Sequence, residues 1–493
     1  MTFQTHTKNM QKEITLKELK DSEYAHKTIN EEIQANLIAR IKGNEPVFEG
    51  LLGYEDTVIP QLKKALLAGH HINLLGLRGQ AKTRIARSMV DLLDEYMPIV
   101  KGSEINDSPF QPISKYAKDL LAEHGDETPI SWVHRSERFF EKLATPDVNV
   151  SDLIGDIDPI KAATLKLPYS DERVLHYGMI PRANRSIFVI NELPDLQARI
   201  QVSLFNILQE GDVQIRGFQL RMPLDIQFVF TANPEDYTNR GSIVTPLKDR
   251  IGSQIFTHYP KSIALARKIT EQEANVSTED KLAIKIPNMA KDLLEEVAFA
   301  ARNSEYVDEK SGVSARLTIS AMENLMAAAK LRLIETGAEQ TTIRLVDFMS
   351  IVPSITGKIE LVYEGEQEGA DEVAKILIDN AVMTQFEDIF PRVPKLEKEG
   401  VKTTYTDVVA WFNDNFIELN YTDSDEEFYA SINSVKPLDE IIKEYAADYS
   451  KEDQAFCKEL ILWALTINNK LDRSENSAAF TIDSAGYGKH FFS

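Results

Sequence analysis

Residues 76–83 read Gly-Leu-Arg-Gly-Gln-Ala-Lys-Thr, and this octet decides the fold. It follows the apolar run Ile72-Asn73-Leu74-Leu75 and opens a helical stretch, 84–93. Strand, glycine-bearing loop and helix in that order make a phosphate-binding loop. Backbone N–H groups at a helix N-terminus point at an anion, and the helix dipole favours negative charge there. The expected nucleotide-binding residues are therefore Gly76, Leu77, Arg78, Gly79, Gln80, Ala81, Lys82, Thr83 and Arg84. Lys82 would reach the β- and γ-phosphates, and the Thr83 hydroxyl would hold magnesium. Ala81 stands where a second glycine is usual. Its one methyl is compatible with helical backbone angles, so the loop is retained.

The 493 residues suffice for several domains and a sizeable core. The apolar share of 43% and charged share of 27% are those of a globular protein. No apolar stretch approaches the ~20 residues of a membrane span. The first residues, 1–12, are polar and carry no apolar signal-peptide core. One cysteine, Cys457, permits no internal disulfide and suits a reducing cytoplasm. Acidic residues exceed basic ones by 22 (77 against 55), which disfavours nucleic acid as a general partner. The pair His70-His71 belongs to the turn before the first strand rather than to a metal site, since adjacent residues seldom ligate one ion.

Residues 1–45 form a helical N-terminal extension. Residues 46–265 alternate apolar strands with helical stretches, the pattern of an α/β domain with a parallel sheet. The expected strands are 71–77, 130–134, 186–191, 226–232 and 254–258. Residues 266–355 are helical, with apolar residues at three- and four-residue spacing over 289–301 and 319–334. Residues 356–493 are mainly helical, at 371–386, 438–449 and 453–468, and the acidic run 421–427 reads as solvated loop.

Hydrolysis needs more than a cradle for phosphate: an acid for water, a γ-phosphate sensor and a cation for transition-state charge. Ser186-Ile187-Phe188-Val189-Ile190-Asn191-Glu192 is a buried strand ending in Asn-Glu, where a Walker B strand ends in Asp-Glu. A parallel strand delivers its last side chains beside the phosphate loop. Glu192 is the group to polarise water. Asn191 lies at the metal position, with an amide oxygen and no charge. Ile226 to Ala232 ends in Asn233, whose amide can bond both water and phosphate. Between the two strands, 213–221 around Gly217-Phe218 reads as a β-hairpin. Arg250, in Thr245-Pro246-Leu247-Lys248-Asp249-Arg250, is placed to act in trans as an arginine finger in a ring. Arg316 opens the lid helix and would contact the nucleotide.

In this order the pieces resemble the AAA+ ATPases, and within them the ATPase subunit of magnesium chelatase and MoxR-type proteins. The likeness covers residues 46–350. It is carried by the octet, by Ala144-Thr145-Pro146-Asp147 with Leu153-Ile154-Gly155-Asp156-Ile157-Asp158, and by Gly178-Met179-Ile180-Pro181-Arg182-Ala183-Asn184-Arg185. The hairpin and Ala232-Asn233-Pro234-Glu235-Asp236 complete it. The resemblance implies a P-loop NTPase core with a five-stranded parallel sheet, a helical lid, the hairpin and an insert near 165–178. It implies ATP and Mg2+ at the interfaces of a homo-oligomer, commonly a hexameric ring. It places Arg182 and Arg185 among interface arginines, and implies a partner bearing a von Willebrand A-type domain. The function expected is ATP hydrolysis that remodels or activates a partner protein. Asn191 keeps a second reading open, a nucleotide-gated scaffold that barely hydrolyses. A true magnesium chelatase subunit is a third, supported by the resemblance alone. A σ54 activator is disfavoured because no Gly-Ala-Phe-Thr-Gly-Ala loop is present, and a DNA helicase by the acidic balance.

Overall fold

The computed structural model describes residues 13–22, 24–169, 171–215, 221–234, 242–394, 402–475 and 479–484. The chain divides into two compact units, Met1–His258 and Tyr259–Ser493.

The first unit is organised by five parallel strands: β1 (Ile72–Leu75), β2 (Phe139–Leu143), β3 (Ser186–Asn191), β4 (Ile226–Ala232) and β5 (Ser253–Phe256). They lie in the order β5-β1-β4-β3-β2. All pairings are parallel, with Val229 opposite both Ile72 and Val189. β1 and β4 are buried at every residue, which is why they read as unbroken apolar runs rather than alternating ones. β3 and β4 occupy the residues expected from sequence.

The outer strand differs from expectation. The sheet's edge is β2, Phe139–Leu143. Residues 130–134 do form a strand, Pro129–His134, but it pairs antiparallel with Tyr96–Val100 and Ile14–Thr15 in a separate sheet. β2 carries Glu141 and Lys142 and is only half buried, so it lacks the apolar signature of its neighbours.

The N-terminal segment contributes to this core. Helix Ile29–Lys42 starts at a Thr28–Glu31 capping box and ends on Arg40 and Lys42, as the helix dipole favours. Its Ile29, Ile33 and Leu37 pack with Ile72, Leu74, Ile187 and Val189. Near 165–178, helix Pro159–Leu165 leads to the strand Leu175–Tyr177, which pairs antiparallel with Gly155–Ile157. The two arms of the expected hairpin, Asp212–Gln214 and Arg221–Pro223, pair antiparallel. Its tip at Gly217-Phe218 lies outside the described residues, as do Glu235 and Asp236.

The second unit has one continuous apolar core running from Ile284 to Ile482, shared by residues on both sides of position 355. The expected helices appear as Asn288–Arg302, Arg316–Thr336, Ala370–Ile389, Pro437–Tyr445 and Lys451–Ile467. Two features were not foreseen. The acidic run 421–427 is not all loop: helix Asp425–Ser434 starts within it behind a Ser424–Glu427 capping box. Asp425 accepts from the Thr341 hydroxyl and from Arg344, so a charge that looks solvated in sequence ties two segments together. A three-stranded antiparallel sheet also forms from Ile417–Asn420, Ala479–Ser484 and Leu471–Glu475.

Candidate nucleotide site

The carboxyl ends of β1, β3 and β4 are adjacent, and the loop of residues 76–81 leaves the first of them. Its shape is fixed by packing. The Gly76 N–H donates to Ala232 O (3.1 Å). A Cβ at Gly76 would fall inside van der Waals contact with Thr257 Oγ1 and Gln80 Oε1, so no side chain fits there. Those two groups hydrogen-bond to each other at 2.7 Å. The Tyr54 hydroxyl sits 2.9 Å from the carbonyl oxygens of both Gln80 and His258.

Gly79 has φ +73°, and Ala81 takes left-handed angles, φ 54° and ψ 20°. Ala81 therefore does not use the helical angles expected of it. An L-residue in this region costs on the order of 1–2 kcal/mol, which explains the usual preference for glycine here. Helix Lys82–Ser88 follows at once, with Ile85 N–H bonded to Ala81 O (2.9 Å).

Lys82 is drawn to the same edge. Its Nζ donates to Gly76 O, to Leu77 O (2.9 Å) and to Asn233 Oδ1 (2.7 Å). Asn233 is buried and immediately follows β4. The expected sensor and the expected phosphate-binding lysine thus lie within one hydrogen bond of each other.

Asn191 ends β3 and Glu192 follows with left-handed angles, φ 55° and ψ 48°. Strained non-glycine backbone of this kind costs about 1–3 kcal/mol and persists only where its surroundings fix it. Thr231 does part of that: its Oγ1 accepts from Glu192 N–H (3.1 Å) and donates to Asn191 Oδ1 (3.1 Å). The Asn191 Nδ2 donates to Glu141 Oε1 at 2.6 Å, and Glu141 Oε2 accepts from Arg87 at 2.6 Å. Arg87 lies over the Phe139 ring, 5.3 Å from its centroid. Thr231 and Glu141 were not among the residues expected from sequence. A lone acidic residue in a short half-buried strand gives no signal until its neighbouring strand is known.

For a metal, Thr83 and Asn191 offer hard oxygens, with the Glu141 carboxylate one hydrogen bond beyond. Among the described residues no three His, Cys, Asp or Glu side chains gather as a ready cage. That donor set suits magnesium, which binds through few protein groups, phosphates and water.

The other expected residues are placed as follows. Arg78 and Arg84 are exposed on the loop and helix. Arg250 ends helix Thr245–Arg250, donates to Gln209 Oε1 (3.0 Å) and Pro246 O (2.7 Å), and lies over the Phe205 ring. Arg316 is exposed at the start of helix Arg316–Thr336 in the second unit. Arg182 is exposed. Arg185, by contrast, is buried and donates to Pro98 O (2.8 Å), so its guanidinium is internal and offers nothing to a neighbouring subunit. His71 is held neutral: burial, then the charge of His70, pushes its pKa down to about 4. Its Nδ1 accepts from Phe228 N–H, as befits a structural group before β1. The Cys457 thiol is buried and pushed up to about 12 by burial, and so is unreactive. Among the described residues no helix is long and apolar enough to cross a membrane.

The model of the Sigma-54 interaction domain matches residues 168–251, a stretch that includes β3 and β4. The chain is 25% identical over 248 residues to magnesium-chelatase subunit ChlI of Nephroselmis olivacea, covering 48% of this chain and 63% of that protein. It is 24% identical over 243 residues to the magnesium-chelatase 38 kDa subunit of Cereibacter sphaeroides, covering 47% and 65%. The chain thus spans somewhat under two thirds of the length of these relatives. Among solved structures it is similar to the BchI–BchD complex of magnesium chelatase (18% identity, 65% of this chain and 98% of that one, TM-score 0.34). It is also similar to NtrX of Brucella abortus in complex with ADP (12% identity, 75% and 65%, TM-score 0.35).

Proposed function

We propose that this chain is an AAA+ protein related to the ATPase subunits of magnesium chelatase and to MoxR-type proteins, and that it binds ATP with magnesium and hydrolyses it. The observation that carries this is the meeting of Lys82 and Asn233 at 2.7 Å, at the same sheet edge as the Asn191–Glu192 strand end. Lys82 exchanges its loop carbonyls for the β- and γ-phosphates. Glu192 orients and polarises the attacking water, and Asn233 bonds both that water and the γ-phosphate. Thr83 and Asn191 would hold the magnesium ion, which would neutralise charge on the phosphates.

The cation for the transition state is Arg250 of an adjoining protomer, which makes the working form a homo-oligomeric ring, hexameric by analogy. Arg316 contacts the nucleotide from the helical lid, residues 266–355. Work is delivered to a protein partner, by analogy one with a von Willebrand A-type domain. Residues 356–493 are assigned no role in this scheme.

Phosphate release by the full chain with ATP and magnesium tests the reading. Turnover is expected, and Lys82→Ala and Glu192→Gln should each abolish most of it. A chain with no turnover, on which neither substitution has any effect, would refute the motor. Asn191 favours one alternative, a nucleotide-gated scaffold. Tight binding without turnover, unchanged in Asn191→Asp, would select it.

A further inference from the structure

We propose that Glu141 is a positioning residue of this nucleotide site, supplying from the neighbouring strand the negative charge that Asn191 leaves out. The inference rests on the reading of the site as an ATP-magnesium site.

β2 and β3 pair with Glu141 opposite Val189, so Glu141, Val189 and Asn191 project from one face of the sheet. Val189 packs there with Ile85 and Ala86 of the helix that follows the phosphate loop. Glu141 therefore stands on the loop-helix side of the sheet, beside the strand end that lacks a carboxylate. Its Oε1 takes the Asn191 amide at 2.6 Å and its Oε2 takes Arg87 of that helix at 2.6 Å.

Two consequences follow for Asn191. Its amide orientation is fixed by Glu141, because turning it over would set its oxygen against that acceptor-only carboxylate; the rotatable Thr231 hydroxyl then donates to the oxygen on the other side. The oxygen is thereby kept available, with its second lone pair, on the side away from Glu141. The pair also carries one negative charge, as an Asp at 191 would.

A plain surface ion pair between Glu141 and Arg87 does not account for this. Arg87 is 65% exposed and water screens its charge, whereas Glu141 is 26% exposed and spends its other oxygen on the amide. A second carboxylate at 191 would sit in hydrogen-bond contact with Glu141, and like charges at that distance oppose each other. One acid and one amide is the stable combination, and the two positions are interchangeable in charge.

The experiment is titration of the full chain with a fluorescent ATP analogue, in magnesium and in EDTA. Glu141→Gln should lose about tenfold in affinity with magnesium and nothing in EDTA. Asn191→Asp alone should gain nothing with magnesium. The exchange variant Glu141→Gln with Asn191→Asp should recover wild-type affinity to within about twofold, which a folding defect cannot produce. Equal affinities for wild type and Glu141→Gln in magnesium would overturn the proposal. So would an equal loss in both media, or an exchange variant no better than Glu141→Gln. Lys82→Ala separates this from the underlying reading. Binding that requires Lys82 but ignores Glu141 removes only the present inference, whereas a wild-type chain that binds no nucleotide removes both.

Discussion

The two edges of the central sheet use similar residues for opposite purposes. At the amino edge, Arg138, Arg185 and Asp225 directly precede β2, β3 and β4. Each is satisfied from within the protein. Arg138 is fully buried and grips both oxygens of Glu32 at 2.6 Å, while its Nε bonds Arg185 O (3.0 Å). Asp225 accepts from Ile29 N–H (2.7 Å). These charges fasten the N-terminal helix to the sheet. At the carboxyl edge Ala81 and Glu192 have left-handed backbone, but so does Arg185 at the amino edge (φ 59°), so strain alone does not separate the two edges. What separates them is where the side chains go: Arg138 and Arg185 are buried and taken up inside the protein, whereas Lys82, Asn191 and Glu192 are only partly buried and gather at one open strand end.

Four substitutions sharpen or break that contrast. The largest effect expected is on chemistry. Glu192→Gln should lower turnover by about 10²- to 10⁴-fold with an unchanged melting temperature, because in the proposed function its carboxylate serves water and not the fold. A melting temperature that falls with activity would make the carboxyl edge structural as well.

At the other edge the effect should be reversed in kind. Arg138→Ala leaves Glu32 buried without its partner and should destabilise the first unit by roughly 3–5 kcal/mol in urea unfolding. A loss below about 1 kcal/mol would mean that Glu32 finds water, and that the amino edge is not the fastening inferred here.

A smaller effect is expected from Asp225. Burial raises its carboxyl to about 6, against the opposing bond from Ile29 and charge of Arg185. The ordinary value is 3.8, so between 3.8 and 6 the folded protein binds more proton than the unfolded. The group's contribution to stability therefore falls as pH rises through that window and is lost above it. Asp225→Asn should flatten this part of the stability–pH curve relative to wild type. Parallel curves for the two proteins would show that the carboxylate is not desolvated.

Least is expected of Ala81→Gly. It removes the left-handed penalty at the phosphate loop, at some entropic cost in the unfolded chain, and should raise stability by no more than about 1 kcal/mol. A destabilisation would indicate that the Ala81 methyl packs better than its backbone is strained.

Legibility in the sequence followed locality. β3 and β4 could be placed residue for residue because strands buried on both faces must be apolar throughout, and the phosphate loop because its glycines and lysine are contiguous. β2 could not, since Phe139-Phe140-Glu141-Lys142-Leu143 has mixed character and Pro129–His134 is the better strand by composition. Which of two strands joins a sheet depends on partners far away in the chain. Arg185 misled for the same reason: nothing local distinguishes an arginine bound for a subunit interface from one that bonds Pro98 across 87 residues. In the second unit, helical periodicity was plain, but Asp425 looked solvated until Thr341 and Arg344 were seen beside it.

By itself the sequence determined that a phosphate loop, a strand ending in Asn-Glu and a strand ending in Asn succeed one another in an α/β domain. Those features reside in consecutive side chains and in the geometry that apolar runs and glycines impose. Only the tertiary structure decided that Lys82 meets Asn233, that Ala81 and Glu192 bear left-handed backbone, and that Glu141 stands beside Asn191. Such contacts are set by strand order and register, which the chain fixes through burial of its whole core and not at any one position.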